Sequence, residues 1–200
     1  MAALEIFALD VAQGQLAISA CPGQGTVYEL DLEAIAAWRP AFVLSMTPLD
    51  ELEKLGVPRL PADVPTLGAR WLHFPISDFG APDADQMQVW VQIAGKIKTV
   101  LNGGGRVLIH CRGGCGRSGM AALRLMVEMG EEVSEALARL RFVRHCAVET
   151  DPQFDWAAAG ATQDMSYLVP GWARSRAVRK SRSKAHKACR CSHCRGHHGP

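Results

Sequence analysis

The feature that most constrains this chain is a glycine-rich turn between an apolar strand pattern and a helix pattern. Residues 110–119 read His-Cys-Arg-Gly-Gly-Cys-Gly-Arg-Ser-Gly; Val-Leu-Ile at 107–109 precedes them and a helix pattern runs on to residue 129. Glycines tolerate backbone angles that let successive N–H groups converge, and a following helix presents its positive N-terminal end. The spacing therefore predicts a phosphate-binding loop between a central strand and a helix.

A cysteine and an arginine stand at the two ends of this turn, with five residues between Cys111 and Arg117. The thiolate is the nucleophilic form of cysteine, and a helix N-terminus or a nearby cation favours it. The planar guanidinium of Arg117 can bind two phosphate oxygens and stabilise a transferring phosphoryl group. Ser118 can cap the helix or donate its hydroxyl proton to the Cys111 sulfur. The pattern thus indicates phosphoryl chemistry at Cys111.

Residues 110–119 resemble the HCxxGxxRS signature of the cysteine-dependent protein tyrosine and dual-specificity phosphatases. Within this superfamily the chain resembles the dual-specificity branch, particularly the cyclin-dependent-kinase-inhibitor-associated phosphatase type. The likeness covers residues ~40 to 160 and includes Phe-Pro-Ile-Ser-Asp at 74–78 and Glu-Thr-Asp-Pro-Gln at 149–153. The resemblance implies a phosphatase without metal or cofactor, in which Cys111 forms a phosphocysteine intermediate and Arg117 binds the phosphate.

The resemblance extends to the other residues of the loop. The residues that it implies for substrate binding are Arg112, Gly113, Gly114, Cys115, Gly116 and Arg117. In this interpretation Arg112 faces outward, toward an acidic substrate surface or toward solvent. Cys115 is either a small side chain in a tight loop or a partner that captures oxidised Cys111 as a disulfide.

Two aspartates are candidates for the acid that protonates the departing oxygen. Asp83 precedes a helix pattern and has Gln86 three residues later, which predicts a capping box. Asp78 follows a predicted strand, and Gly80 could let its loop move. We assign Asp78 as the acid, with Asp83 as the alternative. The resemblance implies that Asp78 then helps to activate water for the second step.

Two further residues have both a functional and a structural interpretation. The resemblance gives His110 a supporting role, in which it orients the loop and favours the thiolate; the alternative is a residue that packs at the end of a strand. Gln153 could position the hydrolytic water, or it could be an exposed residue at the start of a helix after Pro152.

Strand and helix patterns alternate along residues 1–170, which predicts one α/β phosphatase domain with a mostly parallel central sheet flanked by helices. Residues 1–40 are expected to form an N-terminal extension with two short strands and a helix. The predicted later elements are strands at 41–46, 69–76 and 106–110, a proline-rich loop at 59–65, and helices at 49–55, 84–101, 118–129, 133–145 and 151–159. The helix from residue 118 is apolar nearly all round, which predicts a central, buried position.

Residues 171–200 have a different composition from the rest of the chain. They contain nine Lys and Arg residues and no acidic residue, which leaves 13 basic against 20 acidic residues elsewhere. Such a segment is typical of disorder and could contact nucleic acid, an anionic membrane surface or the domain's own acidic face. Its Cys and His residues are of zinc-ligand type, but their spacing favours adventitious metal affinity over a structural zinc site.

Composition also suggests a location. Seven cysteines, one of them needed as a thiolate, favour a reducing compartment, so we expect a cytoplasmic protein. The N-terminus lacks the basic start of a secretory signal, and no stretch approaches the ~20 consecutive apolar residues of a membrane helix.

The expected function is hydrolysis of phosphotyrosine, and of phosphoserine and phosphothreonine if the pocket is shallow, in a phosphorylated protein substrate. The same loop chemistry would serve a phosphoinositide or an RNA 5′-phosphate, and a non-catalytic phosphate-binding module is a further alternative. Arg112 alone adds charge within the loop, which weighs against a highly phosphorylated lipid.

Overall fold

The computed structural model of the protein describes residues 4–162. The strands are β1 (Phe7–Val11), β2 (Gly14–Ser19), β3 (Phe42–Ser45), β4 (Arg70–His73) and β5 (Arg106–His110). The helices are α1 (Tyr28–Trp38), α2 (Leu49–Lys54), α3 (Leu60–Thr66), α4 (Gln86–Asn102), α5 (Gly116–Glu128), α6 (Val133–Val143) and α7 (Asp151–Ala158), followed by a 3-10 turn at Ala159–Thr162. The predictions for the tail at 171–200, and for a domain end at residue 170, concern residues outside the described range.

The five strands form one sheet in the order β1-β2-β5-β3-β4. β1 and β2 are an antiparallel hairpin, while β2, β5, β3 and β4 run parallel to one another, so the predicted mostly parallel sheet is confirmed. Ser19 and Ser45 both pair with His110 at the end of β5. The carboxyl ends of three parallel strands therefore lie side by side where the glycine-rich loop begins, which is the edge at which such sheets bind ligands.

Helices cover both faces of the sheet because the side chains of the central strand alternate between them. Val107 and Ile109 of β5 belong to the core on one side, with residues of α4, α5, α6 and α7. Leu108 belongs to the core on the other side, with residues of α1, α2 and α3. Every residue from Gly116 to Val127 in α5 is buried, so the predicted central helix is confirmed.

The prediction of a loop at 59–65 is wrong, because α3 occupies Leu60–Thr66. Pro61 lies in the first turn, where a missing N–H costs nothing because the first N–H groups of a helix have no internal partner. The apolar residues Leu60 and Val64, four positions apart, are both buried under the sheet. Prolines at the ends of a short helix were thus mistaken for loop prolines.

β4 is shorter than the predicted strand at 69–76 and ends at His73. The chain nevertheless continues alongside β3 and its extension, because Phe74 N donates to Ser45 O (2.9 Å) and Ile76 N donates to Met46 O (3.0 Å). These two hydrogen bonds bring residues 77–80 to the same edge of the sheet as the glycine-rich loop.

Candidate active site

The glycine-rich loop connects β5 to α5 and lies against the end of β2. Cys111 follows β5 directly, and α5 begins at Gly116, so Arg117 lies in the first helical turn. Gly114 has φ +69°, and a Cβ at this position would lie 2.5 Å from the backbone of Ser19 and Ala20. Both the backbone angle and the close approach therefore require glycine here.

The carbonyl oxygens of the loop accept hydrogen bonds from groups outside it. Cys21 N donates to Arg112 O (3.1 Å), Arg144 Nη2 to Gly113 O (3.0 Å), Arg144 Nε to Gly114 O (3.3 Å) and Val148 N to Cys115 O (3.3 Å). In a planar trans peptide the N–H points opposite to the C=O. With the carbonyls turned outward, the N–H groups of the following residues face the inside of the loop, as phosphate binding requires.

Cys111 lies at the base of a pocket of about 330 Å³. The other lining residues are Asp78, Phe79, Arg112, Gly113, Cys115 and Glu149. The Cys111 residue is 3% exposed, and its Sγ lies 3.3 Å from Ser118 Oγ, so the sequence-predicted contact between the two is present. A hydroxyl that donates to the sulfur favours the thiolate over the thiol.

Arg117 is fully buried and held by two carboxylates. Its Nη1 and Nη2 donate to Glu51 Oε2 and Oε1 at 2.7 and 2.9 Å, and Nη1 also donates to Ile76 O at 3.1 Å. Nη2 lies 3.0 Å from Asp78 Oδ1. Burial opposes the charge, but the hydrogen bonds to Glu51, the Cys111 thiol and the nearby carboxylates raise the pKa of Arg117 above its ordinary value. The guanidinium therefore stays charged and fixed in orientation.

Glu51 was not among the residues predicted for the site from the sequence. It lies in the first turn of α2, the helix that follows β3, and thus at the same carboxyl edge of the sheet as Cys111. An acidic residue just after a strand at this edge was the available signal, but its pairing with Arg117 joins residues 66 positions apart.

The structure brings Asp78, and not Asp83, to the cysteine. The Asp78 side chain is 43% exposed and lines the pocket. Asp83 instead exchanges two hydrogen bonds with Gln86: Gln86 N donates to Asp83 Oδ1 (2.9 Å) and Asp83 N donates to Gln86 Oε1 (3.1 Å). The predicted capping box is thus confirmed, and it gives Asp83 a structural task at the start of α4.

Gln153 is buried, so its interpretation as an exposed helix-start residue is wrong. Its Nε2 donates to Gly80 O (3.2 Å), and its Oε1 accepts from Glu149 N (3.1 Å). The side chain ties the Asp78 loop to the start of α7, and both of its ends are occupied. Glu149, four residues earlier, lines the pocket instead, and its place at the site was not predicted from the sequence.

His110 packs inside the sheet, 1% exposed, with its ring 5.7 Å from that of Trp71. Neither ring nitrogen makes a hydrogen bond to any residue in the described part of the chain. Burial lowers the pKa of His110 to about 4, and the Cys111 backbone offsets only part of this effect. The geometry matches the packing interpretation, with a neutral imidazole beneath Cys111.

Cys115 is disulfide-bonded to Cys146, with 5.3 Å between the Cα atoms. The predicted alternative of a disulfide between Cys115 and Cys111 is wrong, because among the described cysteines Cys111 and Cys21 are free. Burial, and next the nearby Cys111, raises the pKa of Cys21 to about 12, so this second thiol is unreactive. The disulfide fastens the loop to the segment between α6 and α7.

Two other kinds of feature are absent from residues 4–162. The described residues contain no group of three or more His, Cys, Asp or Glu side chains that could hold a metal ion. No helix in the same range has the length and apolar character needed to cross a membrane.

Comparison with known proteins places the site in a family. A family model described as "Polymorphic toxin system, DSP-PTPase phosphatase" matches residues 44–131. The cyclin-dependent kinase inhibitor 3 of Rattus norvegicus is 33% identical over 131 residues, which are 64% of this chain and 60% of that protein. The human counterpart is 30% identical over the same shares. The chain thus spans about three fifths of the length of these curated relatives.

Solved structures share the fold. Kinase associated phosphatase (KAP), solved with its catalytic site cysteine substituted by serine, has a TM-score of 0.71 and 24% identity over 80% of this chain and 94% of its own. Tk-PTP in its active form has a TM-score of 0.61 and 30% identity over 75% of this chain and 93% of its own. With the sheet, the phosphate loop and this extent of similarity, the chain belongs to the cysteine-dependent protein tyrosine and dual-specificity phosphatase superfamily.

Proposed function

We propose that this protein is a phosphatase that hydrolyses phosphomonoesters of protein side chains, foremost phosphotyrosine, through a phosphocysteine intermediate on Cys111. The observation that carries the proposal is that Cys111 and Asp78 line one pocket, while Arg117 Nη2 lies 3.0 Å from Asp78 Oδ1. The nucleophile and the cation come from one segment, residues 111–117, and the acid comes from a second segment after β4. A module that only bound phosphate would need neither the thiol nor the acid.

The first step transfers the phosphoryl group to sulfur. The Cys111 thiolate attacks phosphorus, the bond from phosphorus to the leaving oxygen breaks, and that oxygen takes the proton of the Asp78 carboxyl. Inward N–H groups of the loop and the Arg117 guanidinium stabilise the charge on the other phosphate oxygens. Asp78 lies close enough to Arg117 to meet a leaving oxygen on a phosphate bound there.

The pocket wall favours an aromatic leaving group. Phe79 follows the acid, is 60% exposed and lines the pocket. Its backbone has φ +58°, and Thr150 Oγ1 donates to Phe79 O (3.3 Å), which holds the backbone of Phe79 beside the pocket. An aromatic side chain at this place can stack on the ring of phosphotyrosine. Phosphoserine and phosphothreonine, which lack a ring, should react more slowly.

Charge at the pocket opposes the lipid alternative. Arg112 is the basic lining residue, and the lining carboxylates Asp78 and Glu149 outnumber it. A highly phosphorylated headgroup or an RNA strand would meet two anions at the rim, whereas a single phosphomonoester can reach the loop between them. A phosphorylated protein is therefore the substrate class that we propose.

We also propose a cytoplasmic location for the protein and a binding role for its basic segment. A cytoplasmic protein would meet phosphoproteins, but its thiols are kept reduced there, so the Cys115–Cys146 disulfide should open in that compartment. We propose that the basic segment at 171–200 contacts an anionic partner, and we expect its deletion to remove binding to nucleic acid or anionic vesicles while hydrolysis continues.

The test is phosphate release from an aryl phosphate between pH 5 and 8 in the presence of a metal chelator. Cys111→Ser should abolish turnover, and Asp78→Asn should lower kcat by about 10²–10⁴-fold, most strongly for poor leaving groups. Asp83→Asn is the matched control and should retain near wild-type activity. Turnover that survives Cys111→Ser would refute the phosphocysteine mechanism, and a larger loss in Asp83→Asn than in Asp78→Asn would reverse the assignment of the acid.

A phosphopeptide pair tests the substrate preference. The wild type should favour a phosphotyrosine peptide over the matched phosphothreonine peptide, and Phe79→Ala should reduce that ratio by about fivefold, since ring stacking contributes about 1 kcal/mol. An unchanged ratio would remove Phe79 from the account of specificity.

A further inference from the structure

Glu149 is a second carboxylate at the phosphate pocket, and it comes from a different segment than Asp78. It lines the same pocket as Cys111, and the residue is exposed there. A Cβ at Gly116 would collide with Glu149 Oε2, so this carboxylate rests against the first residue of α5. The N–H groups that would surround a bound phosphate begin at the same helix end.

The segment that carries Glu149 is fastened to the phosphate loop. The Cys115–Cys146 disulfide joins the two segments, and Val148 N donates to Cys115 O at 3.3 Å. Arg141 donates from Nε to Ala147 O and from Nη2 to Val148 O, each at 3.1 Å. Val148 has φ +65°, an angle that a β-branched residue adopts only under such constraint. These contacts fix where Glu149 stands.

The Glu149 backbone is anchored, whereas its carboxylate is free. Glu149 N donates to Gln153 Oε1 at 3.1 Å, but within residues 4–162 the side chain accepts no hydrogen bond and forms no ion pair. Asp78 differs, because Arg117 Nη2 lies 3.0 Å from its Oδ1. A base needs an available lone pair, so the unengaged carboxylate is the better proton acceptor at this pocket.

Resting on the proposed function, we infer that Glu149 is the base of the second step, in which water hydrolyses the phosphocysteine. The water oxygen bonds to phosphorus, the bond from phosphorus to sulfur breaks, and Cys111 leaves as thiolate. The proton of the water passes to the Glu149 carboxylate, which later releases it to solvent. Asp78, which gave its proton to the leaving oxygen in the first step, regains one from solvent. The two carboxylates thus divide the acid and base tasks.

Rapid mixing with excess p-nitrophenyl phosphate separates the two steps, because nitrophenol leaves in the first and phosphate in the second. In Glu149→Gln, which keeps the size and hydrogen-bonding ability of the side chain, the first turnover should stay within about twofold of wild type. The steady-state rate should fall by about 10²-fold, so a burst of one nitrophenol per enzyme appears. Intact mass measurement should then find one phosphoryl group on the protein.

The pH profile distinguishes a base from a residue that only positions water. The wild-type second-step rate should fall as the pH is lowered, because a protonated carboxyl cannot accept the proton of water, and Glu149→Gln should lose this acid limb. Asp151→Asn is the matched control, an exposed carboxylate two positions away that does not line the pocket, and its kinetics should equal those of wild type.

Three results would overturn the inference. One is a steady-state rate for Glu149→Gln within twofold of wild type. Another is an equal fall in the first turnover and the steady-state rate, which would assign Glu149 to binding or the first step. The last is a wild type without Cys111-dependent turnover, which would remove the proposed function as well. The first two results leave the phosphatase activity of the wild type intact, so failure of this inference is distinguishable from failure of the proposed function.

Discussion

The C-terminal end of α5 provides a sharp test of how the helix behind the phosphate loop is held. Glu128 accepts hydrogen bonds from Trp90 Nε1 (2.9 Å), Lys98 Nζ (2.8 Å) and Arg124 Nε (2.7 Å). The side chains of Glu128 and Arg124 are 7% and 1% exposed. Replacing Glu128 with Gln keeps the shape but removes the charge on which the three donors converge.

The expected loss follows from these contacts. Breaking a buried ion pair costs about 3–5 kcal/mol, because the remaining charge stays buried. Arg124 keeps Trp156 as a partner, with Nη1 donating to its backbone oxygen (2.6 Å) and the guanidinium 4.9 Å from its ring, and the 20% exposed Lys98 can turn toward water. We therefore expect a loss of about 3 kcal/mol, which lowers Tm by about 6–12 °C for a domain of this size.

Urea denaturation of the full chain at pH 7 measures this loss. Glu131→Gln is the matched control: its partner Arg139 is 46% exposed, and removing an exposed pair should change the free energy of unfolding by less than about 1 kcal/mol. A loss below about 1 kcal/mol in Glu128→Gln itself would refute the reasoning, because the buried network would then contribute no more than a surface pair.

The same residue should make stability depend on pH. Burial raises the pKa of Glu128, but hydrogen bonds from Lys98, Arg124 and Trp90 outweigh it, so the folded-state pKa lies below its ordinary value. A group with a depressed folded pKa contributes stability above its unfolded pKa of about 4.3 and loses it as the pH falls through the folded value. The difference between wild type and Glu128→Gln should therefore be largest near neutral pH and shrink below about pH 4.3.

Two further predictions concern the loop's supports. Glu51→Gln removes the charge that accepts two hydrogen bonds from Arg117. It should lower kcat/KM for an aryl phosphate by about 10–100-fold, which corresponds to the 1.5–3 kcal/mol of a charge-assisted hydrogen bond. Unchanged steady-state kinetics would contradict this prediction. Cys146→Ser removes a link that spans 31 positions and should cost about 3–4 kcal/mol in urea denaturation. Dithiothreitol should lower wild-type stability to that of the variant and leave the variant unchanged, and a wild type that ignores dithiothreitol would contradict the pairing.

The sequence predicted most of the fold because its periodic patterns reflect burial directly. The continuous apolar run of β5 and the apolar surface of α5 follow from positions buried on all sides. The capping box at Asp83 was predictable because its two partners lie three residues apart. The helix at Leu60–Thr66 was missed because prolines in a short helix resemble those of a loop.

The site residues fall into two groups, those predictable from local spacing and those that only the fold brings to the loop. Cys111, Arg117 and Ser118 lie within eight consecutive residues, so their spacing alone predicted their meeting. Glu51 and Glu149 come from α2 and from the segment before α7, and their closeness to the loop depends on the packing of the whole sheet edge. Gln153 shows what spacing alone does not predict. The sequence indicated that Gln153 lies near the site, but its side chain is buried and donates to Gly80 O, and Glu149 four positions earlier is the exposed residue.

The phosphate loop owes its shape to residues outside its own motif. Its N–H groups turn inward because its carbonyls are held from outside, two of them by Arg144. Arg144 also lies 4.4 Å above the ring of Phe7 in β1, so the clamp on the loop is itself packed on the N-terminal hairpin. Gly114 rests on the backbone after β2. Residues before position 40 therefore belong to the machinery that shapes the site, and a chain truncated before β3 should lose the loop geometry even though the whole signature at 110–119 remains.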